Sequence, residues 1–407
     1  MKKNQTLKST LVTLAWSVYI PSFLLSIAQG MIIPILPGFA SEEMAATTFM
    51  IGLIVSAKAI GMLIFDIPSG IILSKYGMNK TMMIGVFLFA LSSFLAVIAQ
   101  STTFLFFARI ISGISFSLWM ISRHSYIAIA VPVEIRGRAI SIFGGFGRFA
   151  TILGPFIGGI VAEFIGIRIP FILQIFLATI TMIILIINYH KSDKYNNNID
   201  KHLLSENKKL LSGFSIVLKK NYKIFATAGF VASVLSFLRA AREFLIPFWG
   251  EELKLSKDMI GYIVTASFAV DSLLFPIVGY VMDRWGRKFT GVPAIIILSI
   301  AILLVPLTRD INSLLLVGIL AGLGNGLSTA FILTLGADLS PKENRGEFLG
   351  TWRMFADSGA SSAPLAIGYM GQIISISFAS SFTAIFGLLG TIMLIFMVKD
   401  TKKNKKS

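Results

Sequence analysis

Apolar residues in this chain fall in blocks far longer than one face of a soluble helix. Residues 81–99, 171–188, 294–307 and 382–398 approach or reach the roughly 20 residues that a helix needs to cross hydrocarbon. Lipid offers no partner to an open backbone group, so such blocks must be helices with their hydrogen bonds closed internally. Read this way, the pattern predicts twelve spans: 11–37, 47–73, 80–99, 102–128, 138–162, 169–189, 223–249, 259–282, 289–307, 312–338, 347–371 and 375–398. The first runs on past Gly30 into Pro34 and Pro37 without a small-residue cleavage site, so it reads as a retained span and not a signal peptide. One long polar stretch, 190–222, divides the chain into a first bundle at 1–189 and a second at 223–407 with a basic tail. Within it, 203–218 has the pattern of an amphipathic helix lying on the membrane.

The two bundles repeat one another at a constant offset of 209 residues. Gly70 and Gly77 fall on Gly279 and Gly286, Gly113 on Gly322, and Pro155 and Gly159 on Pro364 and Gly368. Pro132, Glu134, Arg136 and Gly137 fall on Pro341, Glu343, Arg345 and Gly346. The expected fold is therefore an all-α membrane protein, two pseudo-symmetric six-helix bundles. Doubling of this kind points to transport by rocking one copy against the other.

Composition agrees and charge adds orientation. The chain is 55% hydrophobic and 14% charged, with a mean hydropathy of +0.81, whereas soluble domains carry roughly a quarter charged residues. With the N-terminus inside, the cytoplasmic segments collect Lys2, Lys3, Lys75, Lys80, Arg136, Arg138, Arg284, Arg287, Lys288, Lys342 and the tail lysines. The opposite side holds only Arg168, Lys254, Lys257 and Arg309, which places both termini in the cytoplasm of a cell-membrane protein. The net charge of +16 is accounted for by this asymmetry, and the partner it implies is the lipid bilayer and not nucleic acid. There is no cysteine, and His124, His190 and His202 are far apart, so neither a thiolate nor a histidine-rich metal site is expected.

The loop after the eighth span reads Gly279-Tyr-Val-Met-Asp283-Arg284-Trp-Gly286-Arg287-Lys288. An acid at a helix end beside two arginines and a turn glycine can form a charge-assisted lock against a neighbouring helix N-terminus, to be broken when the bundles rock. This segment resembles the G-x-x-x-D-R-x-G-R-K signature of the major facilitator superfamily. Its first copy keeps Gly70 and Gly77 but has Ser74 where the acid belongs and Asn79 at the last basic position, so the lock is expected in the second copy. Arg109-Ile-Ile-Ser-Gly113 in the fourth span is similar to that family's R-x-x-x-G, whose arginine is associated with proton coupling. Gly154-Pro155-Phe-Ile-Gly158-Gly159 in the fifth resembles the G-P-x-x-G-G of its drug/proton antiporters, and there Gly-Pro is expected to kink the helix while the paired glycines admit another backbone.

Charged residues deep in a span cost about a few kcal/mol facing lipid and so turn inward. Asp271, Asp66, Asp357 and Glu243 are the acids available for proton coupling, with Arg109 joined to them by resemblance. Arg123, Arg148, Lys58, Gln29, Phe146, Arg239, Arg242 and Trp352 are the candidates for a substrate cavity. Arg239 with Glu243, and Arg353 with Asp357, can also neutralise themselves at i,i+4. In the superfamily fold that the resemblance implies, the second span lies beside the eleventh and the fifth beside the eighth, which would pair Asp66 with Arg353 and Arg148 with Asp271. The leading reading is a monomeric, proton-driven exporter of amphipathic small molecules that needs no cofactor. The rival is an uptake permease for a small organic anion or metabolite. A membrane-embedded enzyme or sensor is the remote alternative, for no nucleotide loop, metal cluster or nucleophile with a nearby base is present.

Overall fold

The computed structural model describes residues 14–130, 133–192, 216–341, 343–398 and 400, and among them there is helix but no strand. A π-helical turn, Ala15–Tyr19, leads into α1 (Ile20–Ile32), followed by α2 (Leu36–Met44), α3 (Thr48–Val97), α4 (Thr102–Ala130), α5 (Val133–Phe164) and α6 (Ile169–Ser192). A second π-helical turn, Phe225–Gly229, leads into α7 (Phe230–Glu252). Then come α8 (Lys257–Trp285), α9 (Lys288–Leu304), α10 (Ile311–Leu327), α11 (Phe331–Leu339), α12 (Arg345–Ile373) and α13 (Ile376–Phe396). Among the described residues, ten helical stretches are long and apolar enough to cross a membrane. The longest, α3, divides into two spans at Gly77, whose φ of 77° is left-handed. Adding the more polar α12 gives the twelve expected spans. The interspan region 203–218 falls almost wholly outside the described residues, as do Pro132 and Lys342, and the side chains of 134–138 are likewise not described.

Two spans differ from their continuous expectation. The first breaks at 33–35, where Pro34 supplies no amide hydrogen, and resumes as α2. The tenth breaks at 328–330 between α10 and α11, with the Ser328 and Thr329 amides bonding back to the Asn325 and Gly326 carbonyls. The fifth span, α5, is one helix with Pro155 inside it.

The described residues form two compact units, one drawn from Met1–Ile32 and Ile60–Lys208, the other from Ile33–Ala59 and Lys209–Ser407. In the first unit α1 packs on α5 through backbone. A Cβ on Gly154 would lie 2.7 Å from the Gly30 Cα, and one on Gly158 would overlap the Met31 backbone. Gly154 and Gly158 thus stand where the α1 backbone comes close. Gln174 ties α6 to α1 by donating to the Ala28 carbonyl at 2.7 Å while accepting from Ser93 at 2.9 Å. In the second unit Gly322 of α10 sits against the Ser267 carbonyl of α8, and Gly359 of α12 against Ser233 of α7. Large apolar side chains such as Ile187, Leu273, Leu333 and Phe396 are exposed, as surfaces wetted by lipid must be.

Candidate functional site

The second unit gathers polar groups where α7, α8 and the break between α10 and α11 meet. Gly322 and Gly326 bring α10 close enough to α8 that a Cβ on Gly326 would stand 3.1 Å from the Asp271 Cα. Asp271, 6% exposed, accepts from Asn325 Nδ2 at 2.5 Å and from Thr329 Oγ1 at 3.2 Å. Arg239 reaches from α7 to the break itself, donating to the Ser328 carbonyl at 2.5 Å and to its Oγ at 2.7 Å. A helix interrupted at membrane depth must have its freed carbonyl groups satisfied by protein, and Arg239 does this.

Three residues further along α7, Arg242 is 3% exposed, donates to Ser267 Oγ at 3.4 Å and lies 4.8 Å from the centre of the Phe268 ring. Glu243 follows, with Arg242, Lys58, Asp271 and Arg239 all within electrostatic reach. Arg242, Glu243, Ile246, Val264, Ser267 and Phe268 line an open pocket of ≈ 10 Å³, room for about one water. Lys58, half-buried, comes from the N-terminal part of α3. Five of the deep charged residues chosen from sequence thus converge. Asn325, Ser328 and Thr329 were missed. Their signal is the polar run itself: Asn325 and Ser328-Thr329 interrupt an otherwise apolar span beside the repeat glycines.

The remaining candidates are distributed elsewhere. Trp352 is 3% exposed, packs on Gly336 and donates to the Ile332 carbonyl at 2.9 Å, so it is a packing residue and not a cavity wall. Arg353 pairs with Asp357 one turn along α12 at 3.2 Å, the local alternative. In the first unit Asp66 accepts from Ser117 at 2.7 Å. The Arg123 guanidinium stands 4.8 Å over the Phe143 ring, and Phe146, 48% exposed, stacks on Tyr19. Arg109 is half-buried, and its Nε has no hydrogen-bond partner among the described residues. Gln29 and Arg148 are half-buried on α1 and α5. The expected pairs Asp66–Arg353 and Arg148–Asp271 each draw one residue from each unit.

At the signature loop the geometry corrects the expected lock. Asp283 is bound by Arg287 of its own loop at 3.0 Å, and Arg287 also reaches Asp338 at the end of α11 at 2.8 Å. Burial opposes the Arg287 charge, but the bonds to Asp338 and Asp283 outweigh it and raise the guanidinium pKa further. Arg287 is therefore the centre of the contact. Gly286 holds the turn with φ 102°, while Gly279 faces open space and Arg284 donates to Tyr280. In the first copy Gly77 makes the same left-handed turn, Gly70 is buried, and Ser74 bonds only back to Ile71 among the contacts described.

The sequence profile of the Major Facilitator Superfamily matches residues 18–244 and 228–407. The chain is 24% identical over 373 residues to an uncharacterized MFS-type transporter of Methanocaldococcus jannaschii, covering 91% of this chain and 95% of the relative. It is 25% identical over 361 residues to the quinolone resistance protein NorA of Staphylococcus aureus, with 88% and 89% covered. Among solved structures, the nucleoside transporter NupG superposes with a TM-score of 0.79 at 14% identity, over 95% of this chain and all of that one. The inward open xylose transporter XylE from E. coli superposes with 0.70 at 14% identity, over 98% of each.

Proposed function

The chain belongs to the major facilitator superfamily, a multi-pass membrane transporter and not an enzyme, and from that premise we propose that it is a proton-coupled exporter of amphipathic small molecules working by alternating access. The observation that carries this reading is the convergence of Asp271 and Glu243 with Lys58, Arg239 and Arg242 at a broken span. Carboxyls set deep in a span beside cations are groups whose protonation can be tied to a change of state. Similarity to a quinolone resistance protein supports export. The protein acts as a monomer with both termini in the cytoplasm and takes its energy from the proton gradient. Asp271 is the proton carrier, and Glu243, Asp66, Asp357 and Arg109 are the further residues taken to serve proton coupling. Arg123, Arg148, Gln29 and Phe146 contribute to solute contact.

A second reading is favoured by one feature of the same site, its three cations against two carboxylates: uptake of a small organic anion. The experiment that separates the two is accumulation of labelled compounds in whole cells making the protein. Export lowers accumulation relative to cells lacking it, and uptake raises it.

A further inference from the structure

Asn79 stands at the last position of the first-copy signature, where the second copy has Lys288. Lys288 donates to the Ile395 carbonyl in the last turn of α13 at 2.6 Å, the usual use of an ammonium at a helix C-terminus. The corresponding place in the first unit is built differently. Ser17, Asn79, Met83, Leu185 and Asn188 line a pocket of ≈ 10 Å³, and their mates at the offset of 209 are Ala226, Lys288, Val292, Leu394 and Met397. One long cation among apolar residues is thus exchanged for three short, neutral polar side chains. Ser17 is 4% exposed and Asn79 8%, and neither Ser17 Oγ nor Asn79 Nδ2 has a hydrogen-bond partner among the described residues. Their chain neighbours Val18 and Met78 belong with Met82 and Leu185 to one apolar cluster. In such a medium an unmade hydrogen bond costs the full desolvation of the group.

We infer that this pocket is the site of one ordered water, which accepts from the Asn79 amide, bonds the Ser17 hydroxyl and takes the place that the Lys288 ammonium has in the second copy. Size and chemistry both select it. The volume admits about one water, and a buried water is kept where about two to four polar groups surround it. Asn79 Nδ2 needs an acceptor, whereas Ser17 Oγ can donate or accept, and water serves both. A metal cation would meet the hydrogens of that amide, and no carboxylate lines the pocket to hold one. Nor does the first copy repeat the terminal carbonyl that calls for an ammonium. Ile186, the mate of Ile395, lies inside α6, which runs on to Ser192, and the neighbouring Ile184 carbonyl accepts from Asn188 Nδ2 at 2.9 Å. The water therefore joins the π-helical turn before α1, the second half of α3 and α6 by a neutral, exchangeable bridge, where the second copy uses a fixed charge.

The test uses the full chain in phosphatidylcholine nanodiscs. Ser17→Ala and Asn79→Leu should each lower Tm by about 2 °C, and the double variant should fall little further than either alone, because both lose the same water. Two orphaned groups that share nothing give a different result, since deleting an unsatisfied group relieves a penalty. A Tm that Ser17→Ala leaves unchanged or raises, or losses that simply add, overturns the inference. If Asn79→Leu does not fold, Asn79→Lys takes its place in the cycle: it supplies the ammonium of the second copy, and Ser17→Ala should then have no effect on Tm. A density map of the parent at a resolution that shows ordered waters should contain one peak within hydrogen-bond distance of both Ser17 Oγ and Asn79 Nδ2, and no peak there overturns the inference. Replacing choline chloride by sodium or potassium chloride at fixed ionic strength should shift the parent and Asn79→Leu alike. A rise in Tm confined to the parent assigns the pocket to a monovalent cation and overturns the water.

Discussion

The two copies of the repeat use the same backbone for different purposes. At the offset of 209, Arg239, Arg242, Glu243 and Asp271 correspond to Gly30, Ile33, Pro34 and Met62, and Asn325, Ser328 and Thr329 correspond to Phe116, Trp119 and Met120. No charged residue of the cluster has a charged counterpart. In the first copy these positions serve packing: Gly30 admits Gly154, and Trp119 is 2% exposed inside an unbroken α4. In the second they serve charge, and the tenth span breaks where its mate does not. The first span breaks instead, at Pro34, where α7 is continuous. Features that hold the scaffold recur in both copies, namely the π-helical turns before α1 and α7 and the left-handed glycines 77 and 286. The two copies thus share these turns, while the charged cluster draws mainly on the second.

The sharpest way to break this comparison is Asp271→Asn. It should reduce concentrative transport in proteoliposomes to the level of empty vesicles while leaving solute exchange at equal pH. Retained accumulation against a gradient would remove Asp271 from coupling, whereas Met62→Asn, its first-copy mate, should leave coupling in place.

Next in size is the packing side. Gly158→Leu places a side chain where the Met31 backbone stands, and overpacking of this kind costs about 1–3 kcal/mol, read as a lower Tm in detergent. Gly145→Leu, at a position with open space around it, should lie within about 0.5 kcal/mol of the parent. Equal effects would mean that α1 and α5 are not closely apposed.

Arg239→Gln tests the broken span. Leaving the Ser328 carbonyl without its charged donor should cost about 1–3 kcal/mol, while Gly30→Ala at the corresponding position should be damaging for a different reason, contact with Gly154. Hydrogen exchange separates them: the first should loosen 325–331, the second α1 and α5.

At the loops, Arg287→Gln should increase cytoplasmic labelling of an introduced cysteine more than Asp283→Asn. Arg287 has two carboxylate partners, and the Asp283 side chain is 79% exposed, so its pair is worth only about 0.2–1 kcal/mol. Ser74→Asp alone should not create a lock in the first copy, because Met78 stands at the position of Arg287. Ser74→Asp with Met78→Arg is the minimal graft, and equal labelling of the single and double variants would refute the central role of the arginine.

The smallest effect concerns two equivalent caps. Ser101 accepts from the Phe104 amide at the start of α4, and Asp310 from the Ser313 amide at the start of α10. Bonds from Ser313 hold the Asp310 carboxyl below its ordinary pKa. Its contribution is therefore complete above the unfolded value of about 3.9 and is lost as pH falls through the lower folded value. Amide exchange at 311–314 should rise on acidification in that window, exchange at 102–105 should not, and Asp310→Asn should remove the difference.

Much of this was legible without coordinates. Apolar blocks of membrane length require helices, and a register of glycines and prolines repeated at one offset requires two copies of one unit, because both depend on local chemistry and spacing alone. The deep charges could be picked out as inward-turned candidates for the same reason, since lipid penalises them wherever they stand. Which of them meet was not legible. That Arg239 turns to Ser328 and not only to Glu243 one turn away depends on a break in another span, 89 residues distant. That Arg287 centres the loop contact depends on Asp338 arriving from the end of α11. Trp352 reads as a cavity aromatic until Gly336 is seen to admit its indole. Periodicity and hydropathy report the medium that each residue requires, whereas partners are chosen by the close approach of helices at Gly322, Gly326 and Gly336, and only tertiary structure decides that approach.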